Sequence, residues 1–528
     1  MRFPWSDDAV HRFVLEAEWF AGVTAAAPEL QFVDAVPLGT ASDEPWLLIV
    51  DAVFGTERQR YAVPVAADPA CPEMLVDGHA AGNLLEGLLG ILLRDGRITT
   101  ERNNEIVLDG DPHEASVRRL PFDPGWSSNA VSLVDLNGRV CVHKLFRRLD
   151  ENANEATLLR LLGNRTDTVP GYVLSYHYRD VRTNKTLPLG LVYAFAEGHG
   201  LDVPLRKNLR ALLSKLSEAW SMPDHDQTER LAREHACQLR PVLVEVGQRL
   251  HSFHTVLAAV LDPSLTGGSF DALGYLDRIV GAVDAMWPLL DVDMPFPAPV
   301  LERVRAALDL ELGWLADLLM ASVPQPLPTG PCHGDLHLGH VLVHPLGSRL
   351  VVRLIDLSTK AIEPVSSDVS RQSPWEDLVG LERAIECFAW DETTDWQAEL
   401  LGLTSEQAAL SSLSATAGWG GAEALAGDQI RQRLRSSEWA VGSWCDEVRN
   451  GLLAGYGVDA AGVVTHRSEG DRRATWTAHP SRRLLYLARL LHELRYNASH
   501  GRLYYTALGL RNLLDFAADG SELFHAYR

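Results

Sequence analysis

Apolar and polar positions alternate along the first two hundred residues in a way that marks them as strand-rich. Trp46–Val53 (WLLIVDAV) and Arg60–Val65 (RYAVPV) are apolar runs joined by the Gly-containing turn FGTERQ, and they predict a pair of strands. Ala80–Leu93 (AAGNLLEGLLGILL) switches to helical spacing. Asn129–Val134 and Val140–Phe146 return to the strand pattern on either side of Asp135-Leu136-Asn137-Gly138, whose Asn-Gly pair is a hairpin signal. Asn154–Leu162 is helical, and Tyr172–Tyr178 and Leu189–Phe195 are further strands.

From about residue 201 the period changes. Apolar residues at i, i+3, i+4 predict helices over 205–219, 227–261, 269–289, 298–322, 375–390, 404–413, 426–455 and 481–515. Two short strands, Val341–His344 and Leu350–Ile355, interrupt them. The segments 221–228 and 465–480 are polar and read as loops. The expected fold class is therefore α+β, in three parts: a small cap over 1–110, a sheet-rich part over 111–200 and a helical part over 201–528.

Composition narrows the function classes. A net charge of −22 over 528 residues opposes binding to nucleic acid or to an anionic membrane. A phosphate site in this chain must be a local basic pocket. The six cysteines are scattered without a CxxC pair, so free thiols in a reducing cytosol are expected rather than zinc or a disulfide framework. The start, MRFPWSDDAV, has no basic stretch followed by an apolar run, and a cytoplasmic location is expected.

The segment Cys332-His333-Gly334-Asp335-Leu336-His337-Leu338-Gly339-His340-Val341-Leu342, followed by Leu354-Ile355-Asp356-Leu357, carries the strongest chemical signal. Phosphoryl transfer needs one carboxylate to orient and deprotonate the attacking hydroxyl. It needs a second to hold Mg²⁺ on the β/γ-phosphates, and one more metal ligand a few residues after the base. Asp335 fits the base, and His340 and Asp356 fit the metal ligands.

These residues resemble the catalytic motif of the aminoglycoside phosphotransferases, and more closely the HGDLHLGQVL segment of bacterial maltokinases and their relatives, the glucosamine kinases. Trp19-Phe20-Ala21-Gly22 resembles the element that opens the maltokinase N-terminal cap, and Val142–Leu149 (VHKLFRRL) resembles a maltokinase strand. Ser373-Pro374, Asp377, Gly380 and Arg383 resemble an SPxxDxxGxxR run of that group. The C-terminal stretch Glu493–Leu510 resembles the group's closing helix and loop.

The resemblance implies a bilobal protein-kinase-like fold with a cap and a large helical C-lobe. It further implies that the cleft between the lobes holds ATP·Mg²⁺ and a sugar. Lys144, mid-strand among apolar residues, needs an anionic partner if buried, and Glu155 on the next helix supplies one. The alternative is that Lys144 snorkels to solvent. Ser128 lies in the segment matching the phosphate-covering loop, and Tyr193–Glu197, with Phe195, matches the adenine hinge.

His337, Asp377, Arg383, Trp444, Asp446 and Glu447 are the expected acceptor residues, with the last three resembling a glucosamine-kinase stretch. Trp444 has a second reading, as part of a core stripe with Val448 and Leu452. The reaction implied is ATP-dependent phosphorylation of an amino sugar, glucosamine to glucosamine phosphate, by a monomer. Maltose to maltose 1-phosphate is the alternative, and an aminoglycoside acceptor ranks third.

Two positions depart from the group: His340 stands where it has Gln, and Ser358 where maltokinases have Glu. Imidazole suits Mn²⁺ better than Mg²⁺. The departures leave a catalytically weak, kinase-like binding protein as a further alternative.

Overall fold

The computed structural model describes residues 5–17, 19–20, 28–38, 45–68, 70–71, 74–79, 84–123, 127–151, 153–218, 224–261, 270–293, 296–321, 327–357, 373–418, 428–458 and 480–518. Ala21, Gly22, residues 80–83, Ser358 and the polar segment up to 479 lie outside them. The chain divides into two compact units, residues 1–196 with 357–359, and residues 197–356 with 360–528. Sheets dominate the first and helices the second, an α+β arrangement as expected.

The first unit contains two antiparallel sheets. In one, strands Glu29–Pro37, Trp46–Phe54 and Glu57–Ala67 lie in sequence order, with the short strands Arg148–Leu149 and Leu75–Asp77 both pairing with Glu57–Ala67. Its apolar face, including Leu30, Trp46, Leu48, Tyr61 and Val63, packs on Val10 and Val14 of the helix Asp7–Glu16.

The other sheet has seven strands, in the order Arg97–Thr99, Glu105–Asp109, Tyr172–Asp180, Lys185–Ala194, Arg139–Leu145, Ala130–Leu136, Val117–Leu120. The hairpin of Ala130–Leu136 and Arg139–Leu145 turns at Asn137 (φ 54°) and Gly138 (φ 82°), the left-handed pair that the Asn-Gly signal anticipates. Strands on both sides of residue 110 share each sheet. Asp34, fully buried, accepts from Thr100 Oγ1 (2.6 Å), Asn104 Nδ2 (2.8 Å) and the Tyr178 hydroxyl (3.0 Å), tying the two sheets together.

The second unit is built on helices. The stretch 227–261, expected as one helix, is two: His225–Cys237 and Arg240–Val260, and Pro241 at the start of the second explains the break. The stretch 481–515 likewise divides into Pro480–Ser499 and Leu503–Ala518, separated by Gly501 at φ 64°. The helix Trp375–Leu401 runs on past its expected end, to a left-handed cap at Gly402.

Helix Arg240–Val260 crosses Asp428–Tyr456 at backbone distance. A Cβ on Gly247 would lie 2.2 Å from the Leu452 carbonyl oxygen, and one on Gly455 would lie 2.1 Å from that of Val244. Glycine is needed at both positions because no side chain fits. A three-stranded sheet, His199–Gly200, Val341–Leu346 and Arg349–Leu354, carries the segment with the candidate chemistry. No helix among the described residues is long and apolar enough to cross a membrane.

Candidate active site

The loop from Cys332 to His337 precedes a single 3-10 turn, Leu338–His340, which leads into the strand Val341–Leu346. That strand pairs with Arg349–Leu354 through a hairpin whose Gly347 has φ 60°. The register sets Val341 opposite Leu354, so the residues just beyond the pair meet: the Ile355 N–H donates to the His340 carbonyl at 3.0 Å. Asp356 follows in the left-handed region at φ 62°, a conformation that costs a non-glycine residue energy and is common at functional sites. Its carboxylate Oδ2 lies 3.4 Å from His340 Nε2.

The Asp335 carboxylate is about half exposed (55%), as a group meeting a ligand must be, while the backbone beneath it is held rigidly. His333, with no exposed surface, donates from Nε2 to the Ile355 carbonyl (2.9 Å) and accepts the Asp335 N–H at Nδ1 (3.4 Å). Gly334 has φ 90°, which only glycine adopts without strain. Its N–H donates to Asp377 Oδ1 at 2.9 Å, and the His333 N–H donates to Asp377 Oδ2.

Asp377 is 2% exposed in the first turn of helix Trp375–Leu401, and it also accepts from His254 Nε2 at 2.8 Å. The carboxylate can only accept, so His254 Nε2 donates to it, and His254 Nδ1 lies 2.8 Å from the Tyr456 hydroxyl. Burial works against the Asp377 charge, but the hydrogen bond from His254, its charge and the loop N–H groups hold the carboxyl below its ordinary range.

The three loop histidines differ in electrostatics. Burial pulls His333 down. Burial, helped by His340, pulls His337 down to about 4. At His340 burial also opposes the charge, yet the Asp356 carboxylate overcomes it and raises the pKa. The His337 and His340 rings lie 3.6 Å apart between centroids, and His337 Nδ1 accepts the Gly339 N–H at 3.1 Å. His337 thus shapes the turn next to Asp335 while half-exposed.

In the first unit, Lys144 Nζ lies 2.7 Å from Glu155 Oε2, with both side chains 5% exposed. This is the paired alternative rather than the snorkelling one. Ser128 is exposed before the strand Ala130–Leu136, and Tyr193 is buried opposite Val142. Phe195 is 36% exposed, but its N–H donates to the Val140 carbonyl (3.1 Å) and the Ala194 N–H to Gly171 (2.8 Å).

Several expected acceptor residues are placed differently. Trp444 is 0% exposed and donates from Nε1 to Asn208 at 2.8 Å, so it has no face to stack on a sugar. The core-stripe reading holds, with Val448 and Leu452 also fully buried. Glu447 accepts from Arg240 Nη1 (3.3 Å) and the Cys237 thiol (3.5 Å). Asp446 is half-buried near Arg449, whose charge it supports. Arg383 is 1% exposed and donates to Glu493 Oε2 (3.0 Å) and Glu386 Oε2 (2.9 Å), locking helices together rather than facing a ligand. Asp377 holds the loop, as described above.

Two residues escaped the sequence reading. His254 sits on the apolar stripe Leu243, Val246, Leu250, Phe253, Leu257, where a polar group must find a buried partner. Arg489, on helix Pro480–Ser499, brings Nη1 to 3.6 Å from Asp335 Oδ1, and no local pattern announces it.

A family model described as "Phosphotransferase enzyme family" matches residues 119–398. Among solved structures, a glucosamine kinase (crystal form A) superposes with a TM-score of 0.53 at 16% identity, covering 97% of this chain and 96% of that one. A glucosamine kinase in complex with glucosamine, ADP and inorganic phosphate gives 0.45 at 16%, over 97% and 98%. An aminoglycoside phosphotransferase gives 0.35 at 14%, over 77% and 95%. The first of these supports a shared protein-kinase-like fold. The family match spans more than half of the chain and takes in Lys144, Asp335, Asp356 and Asp377, and the chain belongs to the phosphotransferase enzyme family.

Proposed function

We propose that this protein is an ATP-dependent kinase that transfers the γ-phosphoryl group to a hydroxyl of a small sugar, with Asp335 as the base. The observation that carries the reading is the exposed Asp335 carboxylate on a loop whose backbone is fixed by buried Asp377 and His333. Asp335 accepts the hydrogen bond of the acceptor hydroxyl and aims its oxygen at the γ-phosphorus. As the new P–O bond forms and the bond to the β-phosphate oxygen breaks, the proton passes to Asp335 and ADP leaves. Lys144, held by Glu155, is the residue for the nucleotide phosphates.

The donor set fits a divalent cation. His340 keeps its Nδ1–H on the Asp335 carbonyl (2.9 Å), so on losing its other proton it would offer Nε2 on the side of the Asp356 carboxylate, and the two residues would hold the cation. Mg²⁺ is commonly held by one or two protein groups plus substrate phosphates, so a pair suffices. Bound there, the metal would neutralise charge on the β/γ-phosphates. Oxygen is the better ligand for Mg²⁺. His340→Gln is therefore expected to keep or raise activity with Mg²⁺ and to lower any preference for Mn²⁺. Identical metal profiles for variant and wild type would remove His340 from the ligand set.

The sequence ranks glucosamine first as acceptor and maltose second. The grounds for the amine were Trp444, Asp377, Asp446 and Glu447, and those side chains are engaged within the protein. What remains supported is a sugar hydroxyl. A coupled ADP-release screen across glucosamine, glucose, maltose and aminoglycosides tests the reading: at least one acceptor should raise ADP release well above the acceptor-free rate. Thermal stabilisation by ATP with Mg²⁺ or Mn²⁺, but no turnover with any acceptor, would instead mark a kinase-like binding protein.

A further inference from the structure

Three carboxylates of the helical unit that could receive an ammonium are instead paired with cations of the chain itself. Glu382 pairs with Arg482 in the core, and Glu386 accepts from Arg383 and the Tyr486 hydroxyl. Glu493 accepts from both Arg383 and Arg489. One cation of this network reaches the catalytic loop. Arg489 Nε donates to Glu493 Oε1 at 3.1 Å, Glu493 Oε2 takes Arg383 Nε at 3.0 Å, and fully buried Arg383 is anchored on Glu386 at 2.9 Å. The relay grips Arg489 through Nε and leaves Nη1 beside Asp335.

The 3.6 Å separation from Asp335 Oδ1 is beyond hydrogen-bond length, so the pair attracts without locking. Arg489 is one quarter exposed and Asp335 about half, so a ligand whose hydroxyl sits on Asp335 meets Nη donors next to that hydroxyl.

We propose that Arg489 selects the acceptor, by binding a carboxylate or phosphate ester carried by the sugar whose hydroxyl Asp335 receives. The proposal rests on the kinase reading of Asp335. A guanidinium presents its donors as a fork that matches a carboxylate or phosphate through two bonds. Because Glu493 takes Nε and Asp335 stands beyond hydrogen-bond length, the Nη end of Arg489 is the part that meets an anionic group. An ammonium would have to compete with Arg489 for Asp335 or Glu493, and it would face a like charge.

The test uses the full chain with Mg²⁺ and ATP. ADP release is measured with glucuronate, glucose 6-phosphate, glucose and glucosamine, for wild type, Arg489→Gln and Arg489→Lys. Wild type is expected to use one of the two acidic sugars with higher kcat/KM than glucose, and which one distinguishes carboxylate from phosphate. Arg489→Gln should lower the ratio of acidic to neutral acceptor by about 10- to 100-fold, the scale of a lost charge-assisted pair. Arg489→Lys, a point charge without the fork, should keep part of it.

A preference for glucose or glucosamine that Arg489→Gln leaves unchanged would overturn the proposal. Failure of the kinase reading looks different: no acceptor raises ADP release, and Asp335→Asn matches wild type. Thermal shift with the same two acidic sugars then decides the Arg489 site alone. Stabilisation of wild type but not of Arg489→Gln sustains it, and no stabilisation of wild type by either sugar rejects it.

Discussion

Asp335→Asn is expected to lower kcat by about 10²–10⁴-fold while nucleotide binding stays at the wild-type level, because a positioned acid–base group contributes on that scale. The amide keeps the size and the exposed position of the carboxylate but cannot take the acceptor's proton. The loop should survive the change, since its contacts run through the His333 and Gly334 backbone and the buried His333 ring rather than through the Asp335 side chain. Melting temperature and its shift on adding ATP therefore serve as controls, and kcat with saturating acceptor is the readout. A variant that retains more than a tenth of the wild-type rate would remove Asp335 from its role.

The parts of the site that could be read from the sequence are those whose geometry is local. Asp335, His340 and Asp356 are joined by one short hairpin, and a register of a few strand residues is enough to bring them together. Lys144 was legible for a different reason: a lysine in the middle of an apolar strand requires a nearby anion, and the following helix offers Glu155 at its first position. The helix breaks at Pro241 and Gly501 were written in the sequence too, but a continuous apolar period outweighed them in the reading.

The acceptor side was not legible, because its partners are remote. Arg383 and Glu493 are 110 positions apart, and in the same unit the buried Arg483 and Glu311 are 172 apart; nothing in the local pattern of these residues says which charge each will meet. Trp444 illustrates the competing forces. An aromatic beside two carboxylates suggests a sugar platform, but the i, i+4, i+8 stripe with Val448 and Leu452 turns the ring inward, and Asn208 satisfies its N–H. Apolar periodicity over two helical turns outweighed the chemistry of a single neighbourhood.

Asp377 is where that difference has the largest consequence for stability. As an acceptor ligand, it would alter the KM for the sugar when replaced and leave folding alone. In the structure it touches no open surface and accepts from the His333 N–H, the Gly334 N–H and His254. Asp377→Ala strands those donors in a dry interior, and breaking such a buried charged arrangement costs about 3–5 kcal/mol. Asp377→Asn is milder in volume, but it points an NH₂ at groups that themselves donate. Both variants are expected to melt well below wild type, and well below melting they should show a lower kcat, since the loop that aims Asp335 has lost its support. The pH dependence follows from the same bonds. The folded carboxyl is held below its ordinary value, so its contribution is complete above the unfolded-state value of about 3.9 and is lost as pH falls from there through the lower folded value. Acid unfolding of wild type should therefore steepen below about pH 4, a component that Asp377→Asn lacks. Unchanged melting temperatures combined with a raised acceptor KM would return Asp377 to the acceptor pocket and reject its role as the brace of the loop.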